Sequence, residues 1–167
     1  NEAIQYFDEA IALTGKDTDY LLTKYLEAKG DCLADVGKTS EGLQLYLDAL
    51  KIDEEILKII DDDKFLGMSR RLSKVGDTLL KIGIDTDIST SIDYYSWASE
   101  KAMTDIEHVF SMLGLAQVWV VLGDFEKALE SYDNIIEFSQ EMTRVNLKNE
   151  IYYRAGLAYL YTNNAQT

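Results

Sequence analysis

The sequence predicts an all-α chain in which antiparallel helical hairpins stack into a solenoid. Three observations predict it: apolar residues recur at three- and four-residue steps, proline is absent, and one pattern of small and aromatic residues returns every 40 to 46 residues. A helical period gives each helix one face to bury, and without proline nothing interrupts the helices. A recurring pattern of this length indicates stacked repeats, so we expect the 167 residues to form one repeat domain that is a fragment of a longer solenoid.

The clearest unit runs from residue 112 to residue 136. Its apolar residues follow helical spacing as far as Leu122. Gly123 and Asp124 then interrupt the pattern, and a second apolar stripe begins at Phe125. Gly123 suits the left-handed conformation that ends a helix, and Asp124 suits the capping position of the next one. The unit therefore predicts two amphipathic helices, A and B, joined by a tight turn.

This unit resembles the tetratricopeptide repeat. In that family a small residue of helix A packs against helix B, and a small–aromatic–small series marks helix B. Ala116 and Trp119 match the helix A positions, and Ala128, Tyr132 and Ile135 match the helix B series. The resemblance implies a right-handed superhelix whose A helices line the concave surface.

The same frame recurs along the chain. The small helix A positions are Gly30, Gly76, Ala116 and Gly156, and their spacings of 46, 40 and 40 exceed the usual 34. The resemblance is therefore to a long-helix variety of the repeat, of about the length found in kinesin light chains, Pins-type polarity adaptors and bacterial peptide-pheromone receptors. The helix B series read Gly42, Tyr46, Ala49 and Ser91, Tyr95, Ala98, the second after about three inserted residues at 85–88.

Both ends of the chain match half a unit. Ala3, Phe7 and Ala10 resemble a helix B whose helix A is missing, and the segment around Gly156 resembles a helix A whose helix B is missing. In order, we expect helices at 1–14, 18–36, 40–60, 64–82, 90–103, 106–122, 124–143 and 147–162. These give a partial unit at 1–14, units at 18–60, 64–103 (irregular) and 106–143, and a partial unit at 147–167. The expected caps are Thr18, Ser40, Asp63, Thr90 and Asp105.

The composition restricts the partners. The formal net charge is −14, which disfavours nucleic acid and anionic membrane surfaces because both need clustered Lys and Arg. No apolar run approaches the roughly 18 residues that cross a bilayer. No targeting segment is evident in the sequence that begins at Asn1. Cys32 is the only cysteine, and we expect it to be a small buried side chain in a reducing compartment. The expected location is cytoplasmic.

No pattern in the sequence predicts catalysis, a metal or a cofactor. His108 is the only histidine and lacks a second histidine four residues on, as the zinc-protease helix requires. The acidic runs at 61–63 and 85–87 suggest calcium, but a calcium loop starting at residue 85 would place Thr90 where glycine is needed and Ser96 where glutamate is needed. We interpret both runs as solvated turns and expect a protein that is not an enzyme.

The resemblance also assigns groove positions on the A helices. In order along the chain they are Lys24, Glu27, Asp31, Asp35, Arg70, Ser73, Asp77, Lys81, Phe110, Leu113, Gln117, Val120 and Val121, followed by Tyr153, Leu157 and Tyr161 in the partial last unit. The groove is thus expected to be charged at one end and apolar at the other. Packing of the apolar members against a neighbouring helix is the alternative interpretation.

One known binding mode is disfavoured at this stage. Relatives that clamp the C-terminal carboxylate of chaperones carry Lys and Asn at two positions of the first A helix, where this chain has Glu27 and Asp31. Two acidic side chains would repel a carboxylate.

The leading hypothesis is therefore a scaffold or adaptor that holds a partner helix or peptide in the groove. The alternatives are the peptide-sensing domain of a regulator, and a structural module that associates with itself through its exposed terminal helices.

Overall fold

Every element of the described chain is an α-helix. The computed structural model describes residues 2–14, 20–60, 67–83, 85–140, 142 and 145–165, with the backbone alone for 85–86, 145–146 and 161–165. The helices are α1 (Glu2–Leu13), α2 (Tyr20–Asp35), α3 (Thr39–Ile60), α4 (Met68–Ile82), α5 (Asp85–Glu100), α6 (Asp105–Val121), α7 (Phe125–Ser139) and α8 (Val145–Ala165). The predicted all-α chain of helical hairpins is confirmed.

The helices form three hairpins with a single helix at each end. Each helix packs against the next one along the chain, and α4 also contacts α6. The hairpins α2–α3, α4–α5 and α6–α7 are repeats 1, 2 and 3, so α2, α4, α6 and α8 are A helices, and α1, α3, α5 and α7 are B helices. Contacts between neighbouring repeats join the hairpins into one solenoid.

Glycine ends the A helix of each complete repeat. Gly37, Gly83 and Gly123 have φ angles of 83°, 74° and 75°, a left-handed conformation that glycine adopts without strain. After Gly123, the side chain of Asp124 accepts a hydrogen bond of 3.2 Å from the backbone N–H of Lys127 at the start of α7. The turn predicted at Gly123 and Asp124 is confirmed.

The prediction of a helix at 90–103 was wrong at both ends, because α5 runs from Asp85 to Glu100. In repeats 1 and 3 the B helix begins three residues before its first small position, whereas α5 begins six residues before Ser91. The three inserted residues therefore add a turn to the start of α5. Nothing between Gly83 and Ser91 stops a helix, since that segment has neither proline nor glycine.

Three expected caps also need correction. Thr90 lies inside α5, and Ser40 is the second residue of α3. The cap of α6 is Thr104 rather than Asp105: its hydroxyl accepts the backbone N–H of Glu107 at 3.2 Å, as in a capping box. The other two expected caps, at positions 18 and 63, lie outside the described residues, as does the acidic run at 61–63.

The core lies between the A and B helices. Tyr46, Tyr95 and Tyr132 are buried, at 3%, 1% and 1% exposure, and each belongs to a core cluster that includes residues of the next A helix. A Cβ atom added to Gly30 would lie 2.6 Å from the ring of Tyr46, so glycine is required for this close approach of helix A to helix B. The three tyrosines thus fill the space between neighbouring units of the solenoid.

Candidate functional site: the surface of the A helices

A cavity of about 410 Å³ opens between α4, α6 and α8 on the side of the A helices. Five residues predicted for the groove line it, three from α4 and two from α6: Arg70, Ser73, Asp77, Phe110 and Leu113. The remaining lining residues are Ser69, Lys74, Tyr95, Ile106, Glu107, Gly114 and Arg154. The structure thus brings part of the predicted groove together in one concave site.

Tyr95 contributes to the floor of this cavity. A Cβ atom on Gly76 would lie 2.9 Å from its ring, and one on Gly114 would lie only 2.0 Å away, so the ring packs between the backbones of two neighbouring A helices. Its hydroxyl donates a hydrogen bond of 2.5 Å to Asp77. Burial, with the neighbouring carboxylate of Asp77, raises the pKa of Tyr95, so the hydroxyl keeps its proton and remains a donor.

Repeat 1 contains the same arrangement. The hydroxyl of Tyr46 donates to Asp31 at 2.7 Å, and burial together with Asp31 raises the pKa of this tyrosine as well. In both repeats the acceptor directly follows the small residue of helix A, Gly30 or Gly76. Each carboxylate is thereby held at a defined place on the A-helix surface.

Glu27 is not available to a partner, in contrast to the groove prediction. It is 5% exposed, and its carboxylate accepts hydrogen bonds of 2.8 and 3.0 Å from Arg70 and one of 3.2 Å from Arg71. Lys74 lies 3.3 Å away as a further cation. The expectation of an open acidic end is therefore wrong at this residue, because α4 supplies cations that face α2.

Beneath Glu27 lies a fully buried ion pair. Arg71 donates to Asp53 at 2.6 and 2.7 Å, and both side chains have no solvent exposure. Burial raises the pKa of Asp53 to about 6, with Arg71 opposing the rise, so at neutral pH the carboxylate is mainly ionised. The pair joins α3 to α4, and through Glu27 it reaches α2.

Asp31 is also engaged within the chain. Lys74 lies 2.5 Å from its carboxylate, which also accepts the Tyr46 hydroxyl. Nearly half of the Asp31 side chain remains exposed. Lys24, in the second turn of α2, and Asp35, its last residue, are exposed. The charged end of the groove is thus largely neutralised by pairs between α2 and α4, and Asp35 is its open carboxylate on α2.

The apolar end is open at some positions and closed at others. Phe110 and Val121 are 51% and 49% exposed, so both present apolar surface to solvent. Leu113 is 1% exposed and belongs to the core, which corrects its assignment as a groove position open to a partner, although it lines the cavity. Val120 is partly buried against the same core, as the alternative interpretation held.

The remaining predicted groove positions do not line the cavity. Gln117 is half-buried and Lys81 is exposed at the end of α4. On α8, Tyr153 is exposed and Leu157 is half-buried. The side chain at position 161 lies outside the described residues.

The other chemically notable residues have ordinary surroundings. The His108 ring lies 2.9 Å from the Ser99 hydroxyl and against the ring of Phe138, with centroids 5.1 Å apart. Cys32 is half-buried with a free thiol. Among the described residues no cluster of His, Cys, Asp and Glu could hold a metal ion. No described helix is both long and apolar enough to span a bilayer.

Sequence reasoning did not assign the other seven lining residues to the groove, and it did not foresee the buried Arg71. Arg71 and Lys74 face α2 and α3, Arg154 reaches the cavity from α8, and Gly114 admits the ring of Tyr95. The repeat frame did contain a signal for Gly114. It aligns this glycine with Lys74 of α4, so a position that carries a long side chain in one A helix carries none in the next. The burial of Arg71 could have been anticipated from its place on the apolar face of α4, beside Leu72 and Val75.

Solved structures share this architecture. TPR-like repeats of a Podospora anserina protein assigned as a kinesin light chain superpose with a TM-score of 0.77 at 11% identity, covering 99% of this chain and 80% of theirs. BtubC (BKLC) from P. vanneervenii gives a TM-score of 0.79 at 15% identity, with coverage of 99% and 67%. The first TPR of Spaghetti (RPAP3), bound to the HSP90 peptide SRMEEVD, gives 0.58 at 13% identity, with coverage of 86% and 98%.

These likenesses define the fold: the chain is a TPR-like helical repeat solenoid. No family model matches the sequence, and no curated protein matches it.

Proposed function

We propose that this chain is a scaffold that binds a peptide or helix of a partner protein along the surface of its A helices. The observation that carries the proposal is the cavity between α4, α6 and α8, where five groove positions assigned by the repeat frame converge. Concave sites with an apolar wall and a few oriented polar groups are the usual form of a binding site. The SRMEEVD complex of RPAP3 shows that a protein of this fold binds a peptide.

The lining of the cavity determines what a partner must offer. Phe110 and Ile106 contribute apolar surface to the cavity, and its charged lining residues are Arg70, Lys74, Asp77, Glu107 and Arg154. The three cations among them are also paired with Glu27, Asp31 and Glu150. Such a site fits an apolar side chain flanked by polar groups. Burial of the apolar side chain would supply most of the affinity, while the charges would set orientation and association rate.

A carboxylate clamp on α2 is not part of the proposal. Glu27 and Asp31 stand at the two clamp positions, and α4 already supplies their cations. A partner carboxylate arriving there would have to compete with these pairs. We therefore assign the centre of binding to α4 and α6.

The test is capture of partners by the wild-type chain and by Phe110→Ser, with cross-linking to map the contacts on the captured protein. Ile59→Ser is the matched control, because Ile59 is an exposed apolar residue at 69% exposure on a B helix. We expect Phe110→Ser to lose the partner that Ile59→Ser retains, with cross-links on α4 and α6. A partner that cross-links only to the B helices and binds both variants equally would refute the groove proposal.

A further inference from the structure

A second cavity, of about 570 Å³, lies between the B helices α3 and α5, beside the first two turns of α4. Its lining has no residue in common with the cavity of the A helices. Leu50, Met68 and Leu72 line it as buried apolar side chains, and Leu47 of the same lining is half-buried. The cavity therefore offers an apolar interior that is separate from the groove proposed above.

Two aromatic rings of α5 also line this cavity. Tyr94 and Trp97 pack edge to face, with their ring centroids 5.4 Å apart and their planes at 78°. Burial, together with the charge of Glu54 on α3, raises the pKa of Tyr94, so this carboxylate lies near the tyrosine. Trp97 is 48% exposed although a neighbouring ring fixes its position. Tryptophan is among the residues that contribute most to binding at protein interfaces.

Stacking of the repeats does not require these apolar side chains. At the junction of repeats 2 and 3, the position of Leu47 is taken by Ser96. The position of Trp97, two residues after the buried tyrosine of its helix, is taken by Asn134. That junction forms all the same, with α5 packed against α6. A leucine and a half-exposed tryptophan at the junction of repeats 1 and 2 therefore indicate a function other than stacking.

Two open carboxylates belong to the same lining. Glu54 and Glu100 are exposed, and within the described part of the chain neither carboxylate has an ion-pair or hydrogen-bond partner. The two lysines of the lining differ from them, because Lys51 lies 3.1 Å from Asp48 and Lys101 is half-buried. The accessible and unpaired charge at this cavity is therefore negative, which favours a cationic group in the ligand.

We propose that this cavity is a second docking site, which binds an amphipathic helix of a partner protein that carries a basic side chain beside its apolar stripe. The lining of α3 extends from Gln44 to Glu54, about 15 Å at 1.5 Å per residue, so nearly three turns of a helix fit along it. Apolar side chains of the partner would enter between α3 and α5. Its arginine or lysine would face the ring of Trp97 and the carboxylates of Glu54 and Glu100.

A phage-displayed library of helical peptides tests the proposal. The peptides are selected on the wild-type chain and counter-selected on Trp97→Ala, and the retained sequences are synthesised and titrated by fluorescence anisotropy. We expect apolar residues at helical spacing with an adjacent Arg or Lys, and binding at least about tenfold weaker to Trp97→Ala. Glu54→Gln combined with Glu100→Gln should weaken binding severalfold at low salt and little at high salt, because exposed charges are screened by salt.

Two variants serve as controls for these titrations. Glu55→Gln removes an exposed carboxylate of α3 that does not line the cavity, and Phe110→Ser changes the cavity of the A helices. Both should bind the selected peptides as the wild-type chain does. Because the two cavities share no residue, failure of this proposal would leave the proposed function of the A-helix groove intact.

Several results would overturn the proposal. A selection that yields no peptide dependent on Trp97 would do so, as would selected peptides enriched in Asp and Glu instead of Arg and Lys. Undiminished binding by the double glutamine variant at low salt would show that the two carboxylates take no part. Loss of binding in Phe110→Ser alone would place the peptides in the cavity of the A helices.

Discussion

Arg71 and Asp53 form a double hydrogen bond, at 2.6 and 2.7 Å, with neither side chain exposed to solvent. Arg71 also reaches Glu27, so one guanidinium connects α2, α3 and α4. The interface between repeats 1 and 2 is therefore held by buried charge in addition to apolar packing.

Asp53→Asn should lower the free energy of unfolding by about 3–5 kcal/mol, because the buried guanidinium of Arg71 loses its closest counter-charge. Urea unfolding at neutral pH measures the change. Asp48→Asn is the control on the same helix: its side chain is 42% exposed and bonds Lys51 at the surface, so it should cost less than about 1 kcal/mol. Equal losses in the two variants would contradict a structural role for the buried pair.

Gly114→Ala should destabilise the protein by about 1–3 kcal/mol, since the new methyl group would overlap the ring of Tyr95. We expect Gly76→Leu to be at least as costly for the same reason. Gly156→Ala should instead raise the free energy of unfolding by up to about 1 kcal/mol, because alanine favours the helix and meets open space. Thermal and urea unfolding of the three variants checks the order, and an unaffected Gly76→Leu would mean that the repeat frame is misplaced in repeat 2.

Tyr95→Phe should alter the dependence of stability on alkaline pH. The folded chain holds the pKa of Tyr95 above its usual value near 10, so the unfolded chain releases this proton first. The contribution of this pKa difference to the free energy of unfolding is complete below pH 10 and decreases as pH rises above it. Between about pH 9 and pH 11 the wild-type chain should therefore lose more stability than Tyr95→Phe does, as urea unfolding at both pH values would show. Parallel losses would indicate that the hydroxyl is not shielded.

Partner binding should respond differently to apolar and charged changes in the groove. Phe110→Ser with Val121→Ser should weaken binding at any salt concentration, because both side chains present apolar surface. Asp35→Asn should weaken it mainly at low salt, since exposed charges are screened within about 10 Å at 0.1 M. Leu113 is unsuitable for this test, because a buried leucine replaced by serine would damage the fold. Titrations at low and high salt distinguish the two effects, and the same salt dependence for both variants would contradict the assigned roles.

The sequence by itself determined the hairpins, their order and the small and aromatic residues that pack between the helices. Helical periodicity, the glycine that ends each A helix and the small–aromatic–small series of each B helix are local patterns, and their repetition made the frame reliable even where α5 carries an extra turn.

Only the tertiary structure decided which groove residues are free. Glu27, Asp31 and Asp35 all occupy groove positions in the repeat frame. Cations of α4, more than 40 residues away in the chain, pair with Glu27 and Asp31, whereas Asp35 is exposed. Likewise Leu113 and Phe110 lie on one helix three residues apart, yet Leu113 is buried in the core cluster that α6 forms with α7 and α8, and Phe110 is exposed. Burial and charge pairing depend on distances between helices that are remote in the chain, and no periodic pattern in the sequence encodes those distances.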